Sequence, residues 1–120
     1  MQKALIHRYD NKPDILAVEK NGCSEVYRRA RADNFDVVVV VPTSHARTQT
    51  AVIADATSEQ YTPENARPWP GRPDAYPVRV EVTNVRYTTL DKVRRAVEAA
   101  GETWAGQWTV KVAAVDETAL

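Results

Sequence analysis

The chain has 120 residues, of which 43% are hydrophobic, a length and composition that suit one domain with a buried core. Sixteen lysines and arginines balance sixteen acidic residues, which disfavours binding driven mainly by phosphate neutralisation. A single cysteine excludes an internal disulfide and a multi-cysteine zinc site. Because the chain also lacks a membrane-spanning apolar run and a signal-peptide pattern, we expect a soluble cytoplasmic protein.

The amino-terminal pattern is typical of a strand followed by a helix. Residues 3–7 are short and apolar enough for the strand. Pro13 suits the first turn of a helix because its missing N–H would be unpaired there, and Gly22 suits the end of that helix. We expect its core-facing side chains to be Ile15, Leu16 and Val18.

A second short helical segment is predicted over residues 24–33, with Ser24 as its N-terminal cap. Val26 would point inward from this segment. Its outward side chains would form a basic patch made of Arg28, Arg29 and Arg31.

The most hydrophobic stretch, residues 34–42, includes an unbroken run of valines. Because β-branched residues favour strands, we expect a strand here, and the unbroken run indicates burial on both faces. A polar turn at 43–47 and a further strand at 48–56 follow, so the two strands are predicted to form a hairpin.

Residues 58–73 are rich in proline, glutamate and arginine, and the prolines prevent regular strand pairing. We therefore predict a long loop that carries one large aromatic residue, Trp69. Loops of this length without secondary structure are usually either functional or disordered. A tryptophan fixed between two prolines argues against simple disorder.

The clearest strand spans Ala75 to Tyr87. Its valines alternate with polar residues up to Thr83, and then the apolar positions change parity, so one uninterrupted pleat cannot bury both sets. A bulge or bend at Asn84 would restore the register. Such bends let small sheets curl into barrels.

A helix is predicted from residue 88 or 89 to residue 100, ended by Gly101. Its apolar stripe consists of Leu90, Val93, Val97 and Ala100, and its wet side carries Lys92, Arg94 and Arg95. Alternation over residues 107–115 predicts a closing strand, and residues 116–120 are expected to form a loose tail.

This order of elements predicts an α+β fold: one small curved sheet or barrel of about five strands, with helices at its periphery. We expect a single domain over residues 1–115. The helices would cover the sheet, and the bent strand near Asn84 would be its central member.

Several of these segments, in this order, resemble the EVE domains of the PUA-like superfamily. In those domains a hydrophobic strand leads to a strand that ends in a VtsePY-type motif, then to a loop with Trp or Pro, and then to a yp-RV-v strand. The matching stretches here are FDVVVVV at 35–41, IADATSEQY at 53–61 and RPWPGRPDAYPVRVEVTNVRY at 67–87, followed by the helix near Leu90. The amino-terminal third departs from the pattern, because the better-known members carry a tryptophan near the end of their first segment.

The resemblance implies a nucleic-acid-binding module that holds a chemically modified base in an aromatic pocket. Stacking a base on Trp or Tyr is worth about 1–3 kcal/mol. By the family pattern, the base-binding residues are Cys23, Ser24, Tyr27 and Trp69, and the phosphate contacts are Arg28, Arg67 and Arg72. The implied partners are DNA or RNA carrying a modified base, and an effector nuclease or other partner domain of a restriction or RNA-modification system.

Each of these residues also has a purely structural interpretation. Trp69 fits a lid packed on the barrel as well as a pocket wall, and Tyr27 fits a half-buried helix residue. Cys23 fits a small buried side chain. The arginines fit a solvated surface.

The sequence offers little for catalysis. His7 and His45 are the only histidines. Either could pair with Cys23, but no local sequence motif indicates a catalytic Cys-His pair. The chain has no Gly-rich phosphate loop, no paired histidines at metal spacing and no GxSxG elbow, so we expect neither an enzyme nor a bound cofactor.

A protein-interaction or regulatory module on the same scaffold is the alternative to a base reader. The three classes need different surfaces. A base reader needs aromatics and arginines beside one cleft, an enzyme needs a histidine in that cleft, and an interaction module needs an exposed apolar patch.

Overall fold

The computed structural model describes residues 2–9, 12–26, 29–30, 34–43, 48–63, 78–104 and 110–120. Within them the strands and helices follow in the order β1 (Gln2–Tyr9), α1 (Lys12–Asn21), β2 (Cys23–Val26), β3 (Val37–Pro42), β4 (Thr50–Ala56), β5 (Val78–Thr89), α2 (Leu90–Ala99) and β6 (Val110–Val115). A 3₁₀ turn at Glu117–Ala119 follows β6.

The strands form one sheet in the order β2-β5-β4-β3-β1-β6. β1 and β3 are parallel, and the other pairings of the described strands are antiparallel. Although β5, β4 and β3 separate β2 from β1, the Tyr9 hydroxyl on β1 contacts the backbone of Glu25 on β2. The sheet therefore curls into a half-barrel, which confirms the predicted α+β fold with a curved sheet, with β2 as an additional strand.

Two apolar clusters cover the two faces of the sheet. Alternate residues of β1 divide between them: Leu5 and Tyr9 belong to the cluster that contains α1, and Ala4 and Ile6 to the cluster that contains α2. The valines of β3 divide in the same way, and all of β3 is buried. The unbroken valine run is therefore buried on both faces, as predicted.

β5 is the bent strand of the sheet, but it is not the central member that we expected, because it lies second in the order, between β2 and β4. Its start pairs with β2 up to Glu81, and from Val82 onward it pairs with β4. Asn84 has a φ of 52°, the one positive φ of a non-glycine residue in the described chain, and the β4 register shifts between Ile53 and Asp55. Asn tolerates this left-handed conformation better than most residues. The predicted bend is confirmed.

Both helices have the predicted end signals. The Thr89 hydroxyl accepts a hydrogen bond from the Lys92 N–H at 3.3 Å and caps α2, and Gly101 lies just beyond its end with a φ of 85°. Gly22 has a φ of 65° and lets the chain reverse from α1 into β2. Neither helix is long and apolar enough to cross a membrane.

The predicted helix faces are correct for α2 and partly wrong for α1. Val93 and Val97 are buried beneath α2, while its lysine and arginines are exposed. Ile15 and Val18 are buried under α1, but Leu16 is 40% exposed. The phase that turns Ile15 and Val18 towards the sheet turns Leu16 about 100° away from Ile15.

The helical segment predicted to begin at Ser24 is wrong, because residues 23–26 form the strand β2. All four residues are buried, and β2 pairs with the start of β5 from Cys23 to Val26. Ser24 does not cap a helix here, since its hydroxyl contacts His7. Pairing with a distant strand therefore overrides the local capping signal.

The hairpin of β3 and β4 is confirmed by their antiparallel register. β6 begins at Val110, and residues 107–109 of the predicted closing strand lie outside the described residues. The segment expected to be a loose tail contains the 3₁₀ turn, and its Leu120 packs against the α2 cluster.

Candidate functional site

The candidate site lies where the curled sheet brings β1 against β2. We call this contact the β1–β2 seam, and it comprises His7 and Tyr9 of β1 with Ser24 and Glu25 of β2. The Tyr9 hydroxyl donates to the Glu25 carbonyl at 2.6 Å and accepts from the Glu25 N–H at 3.0 Å. Among the described residues, side chains rather than a backbone ladder therefore close the sheet between these two strands.

His7 lies in the interior of this seam. Its Nε2 atom is within hydrogen-bonding distance of the Ser24 hydroxyl, and both residues are buried. Its Nδ1 atom is buried and has no hydrogen-bond partner among the described residues. Burial lowers the pKa of His7 to about 3, so the ring is neutral near pH 7. The seam thus contains an uncharged imidazole with one nitrogen engaged and one nitrogen unpaired.

A buried ion pair joins β2 to β5 next to the seam. The Glu25 carboxylate accepts from the Nε and Nη2 atoms of Arg79 at 2.9 and 2.7 Å, and each side chain is 6% exposed. Burial disfavours the charged guanidinium, but the hydrogen bonds and charge of Glu25 outweigh it and raise the pKa of Arg79. Because the two charges compensate each other, the pair adds no net charge to the site.

The segment that follows β4 is tied to both β5 and the chain after β2. Tyr61 and Arg79 exchange backbone hydrogen bonds at 3.0 and 2.7 Å. The buried Gln60 amide accepts from the Ala30 N–H at 2.6 Å and donates to the Ala30 carbonyl at 3.3 Å. The segment after β4 therefore links two other parts of the chain, the start of β5 and the residues after β2.

Two of the predicted pocket residues are described, and both are buried: Cys23 and Ser24. Ser24 belongs to the seam, and Cys23 precedes it on β2. The other predicted residues, and His45, lie outside the described part of the chain; they are Tyr27, Arg28, Arg67, Trp69 and Arg72.

The ends of the two predicted pocket segments meet in the described structure. Val26, which precedes Tyr27, pairs with Val78, the first described residue after the proline-rich loop. Tyr61, in the first part of that loop, which the structure describes, bridges to Arg79. The chain therefore departs towards residue 27 and returns at residue 78 at one end of the β2–β5 pair.

Sequence reasoning missed the part that β1 plays in this site. His7 was considered only as a catalytic group, and Tyr9 was not considered. The alternation of Leu5, His7 and Tyr9 places an imidazole among side chains that share the buried face of a strand. That pattern could have placed His7 inside the curved sheet, although it does not reveal Ser24 as the partner.

A cavity of about 500 Å³ lies near the end of α2 and is lined by Arg94, Glu98, Gly101, Glu102, Thr103 and Trp104. A cavity of about 260 Å³ beside the end of β5 is lined by Ile53, Arg86, Tyr87, Thr88, Glu117 and Leu120. In the larger cavity Arg94 pairs with Glu98 at 3.5 Å. Neither cavity includes a residue of the seam.

The described residues contain no group of three or more His, Cys, Asp and Glu side chains placed to hold a metal ion. No family model matches the chain, and comparisons with curated proteins and with solved structures find no match. The seam and the meeting point of the two loop segments are the features from which a function can be inferred.

Proposed function

We propose that this chain is a cytoplasmic nucleic-acid-binding module of the EVE type, with a PUA-like fold, and that it recognises a modified base rather than catalysing a reaction. The observation that supports this most is the register that pairs Val26 with Val78. This pairing brings together the attachment points of the segments that carry Tyr27 and Trp69. In this proposal the base stacks on the aromatic side chains that these two segments carry.

The charge distribution supports a pocket rather than a broad basic groove. The formal net charge of the chain is zero, and the Arg79 charge is compensated by Glu25. On α2, Arg94 and Arg95 both contact Asp91. Nonspecific electrostatic affinity is therefore small, and the proposed binding depends on contacts with the base itself.

In this proposal the partner is DNA or RNA that carries a modified base. The module would act as the reader beside an effector, such as a nuclease or another partner domain. Its base pocket would comprise Cys23, Ser24, Tyr27 and Trp69, and its local phosphate contacts would be Arg28, Arg67 and Arg72.

The proposal is tested by titrating the protein with paired modified and plain oligonucleotides, as DNA and RNA, and following binding by fluorescence anisotropy. Trp69→Ala should weaken the preferred modified oligonucleotide by about 1–3 kcal/mol and reduce its preference over the plain one, because a stacking surface is lost. Trp104→Phe is the matched control, since Trp104 packs against the α2 cluster. It should bind as the wild type does.

Arg28→Ala or Arg72→Ala should weaken modified and plain oligonucleotides alike and flatten the salt dependence, because phosphate contacts carry no base information. Arg95→Ala, on the exposed face of α2, is the control and should change neither quantity. The reader function is wrong if no modified base in a broad panel binds folded protein better than its plain counterpart.

One observation favours a second candidate, because the contact between His7 and Ser24 is that of a nucleophile with its base. Both residues are buried, so in this conformation the hydroxyl does not reach a substrate. With a pKa of about 3, His7 is also a weak general base near pH 7. Turnover of an ester or amide panel that disappears in Ser24→Ala would establish the enzyme instead.

An interaction module is supported less well by the described surface. Its large exposed hydrophobic side chains are Leu16 and Tyr87, and the Tyr87 hydroxyl donates to Glu19 at 2.5 Å. Protein interfaces are usually marked by a larger apolar surface than two side chains provide.

A further inference from the structure

His7 differs from its neighbours in the seam because one of its polar atoms is unpaired among the described residues. The Tyr9 hydroxyl already donates and accepts, and Glu25 is bound to Arg79. The His7 Nε2 atom contacts Ser24. Among the fully buried side-chain nitrogens and oxygens of the described seam residues, Nδ1 is the one without a hydrogen bond.

An unpaired buried nitrogen at this position calls for an explanation. His7 lies on β1 opposite Val40 of β3 and Val110 of β6, so an apolar side chain would suit its place in the sheet. A buried polar atom without a partner lowers stability, and natural proteins contain few of them. A ligand that supplies the missing partner would account for the imidazole.

We infer that the Nδ1 atom of His7 hydrogen-bonds to the edge of the bound base, and that Ser24 is a positioning residue that holds the ring through Nε2. This inference deepens the proposed function and rests on it. Stacking on aromatic rings accepts every base, whereas a hydrogen bond to a base edge distinguishes one base from another. His7 would therefore set the specificity of the pocket.

The charges around the seam select an uncharged ligand group. Glu25 and Arg79 compensate each other, and the remaining seam side chains, His7, Ser24 and Tyr9, are neutral near pH 7. A phosphate or an ammonium group placed here would be buried without a counter-charge. The edge of a base is uncharged and offers hydrogen-bond donors and acceptors, so its chemistry matches that of the seam.

The state of the Ser24 contact determines what Nδ1 can bind. If Nε2–H donates to the hydroxyl, Nδ1 is an acceptor and selects an amino or ring N–H group. If the hydroxyl donates to Nε2, Nδ1 carries the proton and selects a carbonyl or a ring nitrogen. In both cases Ser24 sets the hydrogen-bonding character of Nδ1.

In this inference the ligand enters the seam by displacing β2, a short strand at the edge of the sheet. β2 has four residues and pairs with β5. In the described structure its contacts to β1 come from the side chains of His7 and Tyr9. A small outward displacement of β2 would break these contacts and leave the β2–β5 ladder intact.

The test follows the imidazole nitrogens of His7 by ¹⁵N NMR in the full chain, with His45→Gln used to assign the two histidines. Adding the preferred modified oligonucleotide should shift the His7 Nδ1 resonance. His7→Phe, which keeps a ring but removes the nitrogens, should lose about tenfold in affinity for that oligonucleotide, equivalent to about 1.4 kcal/mol, and less for the plain one.

Two further variants keep the test decisive if His7→Phe does not fold. Ser24→Ala should shift the Nε2 resonance of the free protein and reduce the preference for the modified base. Tyr87→Phe removes an exposed hydroxyl outside the seam and leaves both imidazole nitrogens in place, so it is the control. It should keep both the Nδ1 response and the base preference.

The outcomes separate this inference from the proposed function. If the oligonucleotide binds while Nδ1 does not respond and His7→Phe binds normally, the inference is wrong and the reader function stands. If no oligonucleotide binds but free nucleosides shift Nδ1, the base contact is supported and the nucleic-acid function fails. If neither oligonucleotides nor nucleosides bind the folded protein, both are wrong.

Discussion

The layer beneath α2 and the β1–β2 seam bury different chemistry within one sheet. Beneath α2, Val93, Ala96 and Val97 pack on the apolar side chains of the α2 cluster. At the seam, His7 and Ser24 are buried together. The buried polar residues of the described chain lie in β1, α1, β2, the segment after β4 and the start of β5, and none comes from α2, β3, β4 or β6.

This difference separates stability from specificity. Burying apolar surface stabilises the fold by about 25 cal/mol per Å², and it needs no particular partner geometry. Burying polar groups lowers stability unless each finds a partner, so these groups are retained where a defined arrangement is required. The α2 layer therefore contributes to stability through apolar burial, whereas the seam is the region that we propose for recognition.

The α2 layer should be the least tolerant of charge. Val97→Asp places a carboxylate without a partner in a fully buried position, and we expect it to lower the free energy of unfolding by more than about 4 kcal/mol. Arg94→Ala, on the exposed side of the same helix, should change it by less than about 0.5 kcal/mol. Thermal and urea unfolding would measure both. Equal effects would mean that the phase assigned to α2 is wrong.

For the ion pair of Glu25 with Arg79, replacing one partner should lower the free energy of unfolding, whereas replacing both should lower it much less. Arg79→Met leaves Glu25 buried without its partner and should cost about 3–5 kcal/mol in urea unfolding. The double variant Glu25→Leu with Arg79→Met removes both charges and should recover most of that loss.

The matched control for this pair is Arg95→Ala, which removes an exposed ion pair with Asp91 and should cost about 0–1 kcal/mol. A double variant that is no more stable than Arg79→Met would show that the pair contributes more than charge compensation. The seam region would then resemble the α2 layer in supporting stability.

The pH dependence of stability should distinguish the two regions as well. The pKa of His7 is about 3 in the folded chain and near 6.5 when it is exposed, so between these values the unfolded chain binds a proton that the folded chain does not. Stability should therefore fall as pH falls below 6.5, by at most about 1.4 kcal/mol per pH unit.

His7→Gln does not titrate and should remove this component of the pH dependence. The other charged groups near the seam, Glu25 and Arg79, are present in both proteins, so the difference between the two curves isolates His7. Unfolding free energies measured from about pH 7 to about pH 4 would provide the comparison. Parallel curves would contradict a buried neutral imidazole.

The parts of the fold that the sequence predicts well depend on neighbouring residues. The Thr89 cap, the glycines that end both helices and the valine run of β3 are local signals, and each is confirmed. The parity change around Asn84 is also local, and it predicted the bend in β5.

The parts of the fold and of the site that the sequence does not predict depend on contacts between residues far apart in the chain. β2 exists because it pairs with β5, whose Arg79 is 54 residues beyond Glu25, and no local pattern around Ser24 reveals this. The partnership of His7 with Ser24 likewise depends on the curl of the whole sheet. The stacking roles of Tyr27 and Trp69 stay predictions, because both lie outside the described residues.

The smallest effect is expected at Asn84, where β5 bends between the seam end and the α2 end of the sheet. Because its φ is 52°, Asn84→Val should cost about 1–2 kcal/mol, since a branched side chain is strained in the left-handed region. Asn84→Gly relieves that strain but loses the hydrogen bond to Asp55 at 3.1 Å, an exposed contact, and should remain within about 1 kcal/mol of the wild type.

Thr83→Val, at the exposed neighbouring position, is the control for the added branched side chain and should be nearly neutral. Urea unfolding of the three variants would rank them, and equal stability of the valine and glycine variants of Asn84 would place the bend elsewhere in β5. If the order holds, the left-handed conformation at Asn84 limits which residues this position accepts. Glu81 is the last residue of β5 that pairs with β2 and Val82 is the first that pairs with β4, so the bend lies just beyond that change of partner, within the part of β5 that pairs with β4.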